Sequence, residues 1–143
     1  MSIFEPTGRT NGQVEEVMRM VGIEGKSLNN PDEVRTFDKG KLELVNIGGK
    51  TVGRATLQPG WRWSQSVKPL ANTKSCEAPH FQYHVSGTLR VRMDDGTERD
   101  FKAGDVSLLE SGHDAWVVGD EPVVIVDFQG MLNYAKGSEK EKN

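Results

Sequence analysis

Histidines are the first candidates for chemistry in this sequence of 143 residues. His80 and His84 lie four residues apart in the segment PHFQYHVSG, and His113 follows in the segment SGHDAW. A neutral imidazole has a pKa of about 6.5, which suits proton transfer at physiological pH. We interpret His80, His113 and His84 as candidate catalytic acids and bases. The alternative for each is a core histidine whose hydrogen bonds are satisfied within the protein.

The spacing of the first two histidines restricts how they could bind a metal ion. Alternate side chains of a strand share a face, so His80 and His84 should point the same way, yet their Cα atoms would lie roughly 13 Å apart. Zn–N bonds of about 2.0–2.1 Å are too short for one ion to reach both rings. A site built from His80 and His113, and completed by Cys76 or Glu77, is chemically feasible.

Other side chains in these segments could bind a ligand. The candidates for substrate binding are Lys68, Gln82, Arg62, Ser66 and Trp116. Lys68 inside a β fold would need an anionic partner, because burying an ammonium group is costly, whereas a lysine at the rim could extend its amine into water. Cys76 could ligate a metal or act as a nucleophile, and its alternative is an inert buried thiol. Glu77 could orient a histidine or remain a surface carboxylate.

Short alternating segments separated by glycine-rich turns must position these residues. The turn signals include QPG, VSGT, KAGD and ESGHD, and the pair Asp95-Gly96 between two alternating runs predicts a hairpin. The predicted strands cover residues 42–47, 52–57, 61–67, 81–85, 89–93, 98–101, 106–109, 115–118 and 123–128. Many short strands of this kind favour an all-β sandwich or barrel over a nucleotide-binding α/β fold.

The two ends of the chain differ from this central region. Val14, Val17, Met18 and Val21 recur at helical spacing, which predicts an amphipathic helix over residues 11–21. The ending AKGSEKEKN is charged and lacks apolar anchors, which predicts a flexible tail. We therefore divide the chain into an N-terminal helix and extension (1–39), a β barrel (40–130) and a C-terminal tail (131–143).

The region beginning PHFQYHVSGTLRVRMDDG resembles the cupin superfamily. The glycines that fall in the order of the two cupin motifs are Gly60, Gly87, Gly104 and Gly112. The likeness spans roughly residues 40–130. It implies a double-stranded β-helix, or jelly-roll, barrel, which the predicted N-terminal amphipathic helix would accompany.

Other residues occupy the metal-ligand positions of the cupin motifs. The two histidine positions of the first motif fall at Ser66 and Lys68, and its glutamate position falls at His80. The histidine position of the second motif falls at Ala115. The family's site of three histidines and one glutamate is therefore not present in register. Cupins include metal-dependent oxygenases, metal-free epimerases and dehydratases, and non-catalytic binding proteins. Because the usual metal ligands are replaced, we expect this protein less to be an oxygenase than to belong to the other classes.

These features give one main hypothesis and two alternatives. We expect a small-molecule enzyme of the isomerase, dehydratase or cyclase type, in which histidines of the barrel carry out acid–base chemistry. Its cofactor is either none or a divalent metal ion. The first alternative is a non-catalytic ligand-binding or sensory protein. The second is a metal-dependent, oxygenase-like enzyme that holds a divalent ion at a non-standard His/Cys/Glu site.

Composition and charge restrict the partners. The formal net charge is −3 and no basic face is concentrated, so we expect neither nucleic acid nor a membrane as partner, and a small polar or anionic organic molecule as ligand. The single cysteine and the lack of a secretion signal predict a cytoplasmic location. Trp61 and Trp63, placed on the outer face of the predicted strand 61–67, predict a homodimer contact of the kind common among cupins.

Overall fold

A computed structural model describes residues 22–136, so the helix predicted over 11–21 lies outside the described residues. The described residues contain two short helices, α1 (Trp63–Ser66) and α2 (Lys68–Ala71). The strands are β1 (Glu33–Phe37), β2 (Gly40–Ile47), β3 (Lys50–Leu57), β4 (His80–Ser86), β5 (Thr88–Met93), β6 (Glu98–Phe101), β7 (Val106–Leu109), β8 (His113–Val118) and β9 (Val123–Asp127). Within residues 22–136, neither helix has the length and apolar composition needed to cross a membrane.

The strands form two antiparallel sheets. The larger sheet has the order β1-β2-β3-β9-β4-β7, and the smaller has the order β6-β5-β8. Apolar side chains from both sheets form one buried cluster, which includes Leu42, Leu57, Leu89, Val117 and Ile125. The all-β prediction is confirmed.

The alternation of side chains along β4 sets the geometry of the interior. Its burial alternates residue by residue, with His80, Gln82 and His84 buried and Phe81 and Tyr83 exposed. The predicted phase of this strand is therefore correct, since a period of two places alternate residues on one face. The strand delivers two imidazoles and one carboxamide to the inside of the fold.

The prediction of a strand over 61–67 is wrong. After an isolated bridge between Arg62 and Trp116, the chain turns into α1, and α2 follows with Pro69 in its first turn. The strand period does not apply here, and Trp61 and Trp63 are each only 2% exposed and belong to the core. The expectation that these two tryptophans form an exposed dimer contact is therefore also wrong.

Strand β1 and its residue Arg35 were not anticipated. Strand β1 pairs with β2 and extends the sheet before residue 40, where the barrel was predicted to begin. The buried guanidinium of Arg35 donates to the main-chain oxygens of Met131 (3.1 Å), Leu132 (2.8 Å) and Tyr134 (2.7 Å). Residues 131–136, which the sequence assigned to the tail, are thus held against the barrel.

We expect Arg35→Met to lower the free energy of unfolding by about 2–4 kcal/mol, because the methionine removes the donors of three main-chain carbonyls. Urea denaturation followed by circular dichroism would measure the change. Arg92→Met is the matched control, since Arg92 is exposed and its ion pair with Glu98 is loose at 3.7 Å. That variant should change stability by less than about 0.5 kcal/mol, and equal effects of the two would contradict the anchoring role.

Candidate functional site

Three buried side chains, Cys76, His80 and His113, converge inside the fold. Their donor atoms all lie within 4.8 Å of one another. The Cys76 Sγ atom lies 3.6 Å from His80 Nε2, and the two imidazole ring centroids are 5.3 Å apart. The structure thus brings together two of the predicted catalytic histidines and Cys76, one of the two residues that were predicted to complete a metal site with them. We call these residues the Cys–His cluster.

Each member of the cluster comes from a different part of the chain. His80 is the first residue of β4, and His113 is the first residue of β8. Cys76 belongs to the irregular segment before β4, which pairs with β8: the Cys76 amide donates to the His113 carbonyl at 2.8 Å, and the Gly112 amide donates to the Cys76 carbonyl at 2.7 Å. This short backbone pairing fixes the thiol beside the second imidazole.

A buried carboxylate holds the ring of His80. Asp127, at the end of β9, is 0% exposed, and His80 Nδ1 donates to its Oδ2 atom. The Oδ1 atom accepts hydrogen bonds from the main-chain amides of Gln129 (2.8 Å) and Gly130 (3.1 Å). Because Nδ1 is occupied in this way, the Nε2 atom of His80 is the nitrogen that faces the cluster.

Close packing requires glycine at position 130. A Cβ atom there would lie 2.2 Å from the Pro79 carbonyl oxygen and 2.6 Å from His80 Nδ1. Such contacts are far shorter than van der Waals distances, so no other residue allows the chain to pass this close to the His80–Asp127 pair. The loop after β9 therefore packs directly against the His80–Asp127 pair.

A second hydrogen bond orients His113. Its Nδ1 atom donates to the main-chain oxygen of Glu110 at 2.8 Å. This leaves Nε2 as the nitrogen available to the cluster. Both imidazoles therefore present the same ring nitrogen, and each has its other nitrogen fixed.

Charge interactions within the cluster shift two pKa values in opposite directions. Burial alone would raise the pKa of Cys76, but hydrogen bonds from His113 and His80 outweigh burial and lower it to about 6. Burial alone would lower the pKa of His80, but its hydrogen bonds to Asp127 and Cys76 raise it to about 9. In the metal-free protein near neutral pH, Cys76 is therefore a thiolate and His80 an imidazolium.

Two cavities adjoin the cluster. An outer cavity of about 330 Å³ reaches Cys76, and an interior void of about 30 Å³ is lined by His80, His113 and Gln82. Trp63 and Tyr134 line both and lie between them. The interior void is large enough for one or two water molecules.

The indole Nε1 of Trp61, whose side chain lines the interior void, is buried and has no hydrogen-bond partner among residues 22–136. A buried donor of this kind is costly unless a water or ligand oxygen satisfies it. The side chains of His80, His113 and Gln82 also line the void, so its wall is polar where it meets the cluster.

Tyr134 remains a neutral phenol at this site. Burial of its hydroxyl and the negative charges of Cys76 and Asp127 raise its pKa well above the ordinary range. Its ring contacts that of His80 edge-on, with the centroids 5.6 Å apart.

The third predicted catalytic histidine, His84, lies apart from the cluster. It is buried, its Nε2 pairs with Ser107 Oγ at 2.8 Å, and its ring stacks on Phe101 with centroids 5.0 Å apart. Burial lowers its pKa, so it remains a neutral core histidine. His84 is thus a core histidine, but its hydrogen bonds are not all satisfied, because its buried Nδ1 atom has no hydrogen-bond partner among residues 22–136.

Three of the predicted substrate-binding residues lie on or near α1, away from both cavities. Ser66 is buried and its hydroxyl donates to Asp38 at 3.3 Å. Lys68 begins α2 and is half-buried. The Arg62 guanidinium lies 4.0 Å from the centroid of the Trp116 ring, so these two predicted residues contact each other.

Of the remaining candidates, two adjoin a cavity. Gln82 lines the interior void, as described, and the exposed Glu77 lines the outer cavity while accepting a hydrogen bond from Ser75 Oγ at 3.2 Å. Glu77 is outside the cluster, and Cys76 is the one of these two predicted residues whose donor atom lies near those of His80 and His113.

Sequence reasoning missed Asp127 and Tyr134. The sequence does contain a signal for Asp127, because it is the single acidic residue in the otherwise apolar run VVIVDF. A buried acid needs a partner, so such a residue is a candidate for a site. Tyr134 gave no such signal, because it lies in the segment taken for tail.

Two solved structures of proteins of unknown function, the first two described below, share the fold of this chain at low sequence identity. A protein of unknown function from Rhizobium leguminosarum bv. viciae is 14% identical with a TM-score of 0.56, covering 77% of this chain and 98% of that one. A protein of unknown function (DUF1255) from Acidithiobacillus ferrooxidans is 18% identical with a TM-score of 0.50, covering 67% and 85%. A cupin-like protein from Thermotoga maritima is 14% identical with a TM-score of 0.46, covering 66% and 70%. No family model and no curated sequence matches the chain.

We expect Cys76 of the EDTA-treated protein to react with iodoacetamide with a rate that rises through a midpoint near pH 6, since the thiolate is the reacting form and its pKa is about 6. Cys76 is the only cysteine, so mass spectrometry reports this site alone. His113→Gln should move the midpoint upward, because it removes one of the hydrogen bonds that lower the pKa. A midpoint in the ordinary thiol range in the unaltered protein would contradict the arrangement.

Proposed function

From its cupin-type β fold, we propose that this protein is a metal-dependent enzyme that acts on a small organic molecule. Cys76 Sγ, His80 Nε2 and His113 Nε2 would be the metal ligands. One observation carries the proposal: three buried donors of metal-binding type converge, and both imidazoles are already oriented by a hydrogen bond on the opposite nitrogen.

The distances fit a metal centre. Zn–S bonds of about 2.3 Å and Zn–N bonds of about 2.0–2.1 Å, at a tetrahedral angle, place sulfur and nitrogen about 3.6 Å apart. The Cys76 Sγ to His80 Nε2 distance is 3.6 Å. The third donor lies within 4.8 Å of both, so a small movement of His113 would complete the site. Three protein ligands leave a position for water or substrate, which is the pattern of catalytic rather than structural zinc sites.

The hydrogen bonds behind the imidazoles support the same interpretation. Histidine ligands of metals usually donate their second N–H to a carboxylate or a main-chain carbonyl, which fixes the ring and raises its basicity. Asp127 supplies the carboxylate for His80, and the Glu110 carbonyl serves His113. A solely structural role for these histidines would not require both rings to present the same nitrogen to a thiolate.

The donor set favours a borderline-soft divalent ion such as Zn²⁺ or Fe²⁺, because thiolate and imidazole together are poor ligands for Mg²⁺ or Ca²⁺. When bound, such an ion supplies Lewis-acid polarisation of a ligand oxygen and lowers the pKa of a bound water. The chain's own contribution is to hold the three donors, keep His80 aligned through Asp127, and exclude water with the apolar walls around Trp63.

The outer cavity indicates the type of substrate. Its walls are largely apolar, with contributions from Trp63, Val67, Ala71 and Leu132, and its described lining contains neither lysine nor arginine. A volume of about 330 Å³ is within the range of small-molecule sites. We infer a substrate with an apolar body and an oxygen-donor head. Any negative charge on that head would be balanced at the cluster, since no basic side chain of the lining is available.

A second candidate function rests on the His80–Asp127 pair. The buried carboxylate keeps His80 protonated, with a pKa of about 9, and such an imidazolium can serve as a general acid without a metal. This is the acid–base chemistry of the isomerase, dehydratase or cyclase type expected from the sequence. Metal content separates the two candidates.

We expect untagged protein purified without added metal to carry Zn or Fe close to one atom per chain by elemental analysis. Cys76→Ser, His80→Gln and His113→Gln should each lower the affinity for Co²⁺ at least tenfold and remove the thiolate-to-cobalt absorption band. His84→Gln is the matched control, since that histidine is buried but lies outside the cluster. Protein that neither contains nor binds metal would reject this proposal in favour of acid–base chemistry.

Asp127→Asn tests the positioning of His80. The amide keeps an oxygen for the Gln129 and Gly130 amides but removes the charge that orients and stabilises the imidazole N–H. We expect Co²⁺ affinity to fall about 10–100-fold, as for other partners of metal-bound histidines. Circular dichroism would confirm folding. An unchanged Co²⁺ affinity in the folded variant would show that the carboxylate does not act through the metal site.

A further inference from the structure

Two buried side-chain nitrogens among residues 22–136 have no hydrogen-bond partner, namely Trp61 Nε1 and His84 Nδ1. They differ in chemistry and in surroundings. A neutral imidazole can leave one nitrogen as a bare acceptor, whereas an indole N–H can only donate. Trp61 lines the interior void, while His84 lines neither that void nor the outer cavity. The unpartnered donor of Trp61 therefore lies beside an open space that also adjoins the Cys–His cluster.

The main chain fixes the position of this indole. The Trp61 amide donates to the Gln58 carbonyl at 3.0 Å, and the Val117 amide of β8 donates to the Trp61 carbonyl at 3.1 Å. The same strand begins with His113 and pairs with Cys76. One strand therefore positions the indole relative to two members of the cluster.

Packing alone does not explain an unpartnered N–H at this position. Leaving a buried donor unsatisfied costs about 1–3 kcal/mol, and a phenylalanine would fill much of the same space without that cost. Buried polar groups without a protein partner usually bind ordered water or a ligand. The void of about 30 Å³ has room for a group the size of one or two water molecules, such as a carbonyl or a carboxylate.

We propose that Trp61 binds the head group of the substrate in the interior void by donating its indole N–H to an oxygen of that group. The inference rests on the proposed function, since it concerns the head of the same substrate, whose apolar body would occupy the outer cavity. Gln82 also lines the void, and its carboxamide can donate to the same oxygen.

This donor would determine which substrates the site accepts. Because an indole N–H only donates, the head group must offer an acceptor, as a carbonyl or a carboxylate does and an ammonium group does not. Sites built to hydrogen-bond a substrate reject analogues that leave their buried groups unpaired. The substrate class is therefore narrowed to small apolar compounds that carry a carbonyl or carboxylate head.

Titration with sodium formate, followed by NMR of protein carrying ¹⁵N-labelled tryptophan, would test the proposal. Formate is the smallest carboxylate. The chain contains three tryptophans, and the indole resonance missing from Trp61→Phe belongs to Trp61. We expect the proton of that resonance to move downfield and to saturate with formate, because it gains an acceptor. Sodium chloride at the same concentrations should leave it in place.

Calorimetry would give the affinity for formate. Trp61→Phe should weaken binding roughly tenfold or more, the loss expected when one hydrogen bond to a charged group is removed. Phe101→Leu is the matched control, because Phe101 is a buried aromatic residue that does not line the void. That variant should bind formate as the unaltered protein does.

Two outcomes would overturn this subsite: a Trp61 resonance that formate does not move, or a folded Trp61→Phe protein that binds formate as tightly as the unaltered one. Circular dichroism checks folding. If Trp61→Phe does not fold, Trp63→Phe and Trp116→Phe assign the Trp61 resonance by elimination, and the titration of the unaltered protein decides.

Failure of this subsite is distinct from failure of the metal centre. Trp61 supplies no ligand to the cluster, so Trp61→Phe should keep the Co²⁺ affinity of the unaltered protein. Unaltered protein that binds no Co²⁺ would reject the metal centre, whereas an unmoved Trp61 resonance in protein that binds Co²⁺ would reject the Trp61 subsite alone.

Discussion

The buried carboxylate of Asp127 is the constraint on which the site depends. An unpaired carboxylate in a protein interior costs several kcal/mol, so this group requires partners wherever the chain places it. It obtains them from the His80 ring and from the amides of Gln129 and Gly130. Those bonds determine the path of the loop after β9 and the orientation of the first residue of β4. The position of the imidazole that faces Cys76 follows from them.

The stability of the fold has a different source. Buried ion pairs usually add little compared with apolar residues of the same volume, because the attraction between the charges is offset by their desolvation. The apolar cluster that includes Leu42, Leu44 and Val123 supplies the favourable burial instead. A thiolate, an imidazolium and a carboxylate inside this core are therefore hard to explain by stability alone. The proposed metal site would explain both the types of these side chains and their orientations.

Much of the fold could be predicted from the sequence, because strand periodicity is local, whereas the site depends on contacts between distant residues. The alternation in HFQYHVS correctly places His80 inward. The strand predicted over 61–67 is wrong because Trp63 and Val67 lie four residues apart. That spacing fits both one face of a strand and one turn of a helix. Asp127 meets His80 only through the register of β9 against β4. Cys76 reaches its partners through a pairing with β8, and no local pattern encodes that pairing.

Strand β4 has two sides of different character. Its inward residues, His80 and Gln82, face the cluster and the interior void, while its outward residues, Phe81 and Tyr83, are exposed on the outer side of the larger sheet. Because β4 pairs with a strand on each edge, β9 on one side and β7 on the other, its local opening is restrained. Such restraint benefits a metal centre, because ligands held at fixed separation lose less entropy on binding than mobile ones. The strand pairing of β4 and the carboxylate of Asp127 thus serve a common requirement, which is to hold the His80 ring at a fixed position.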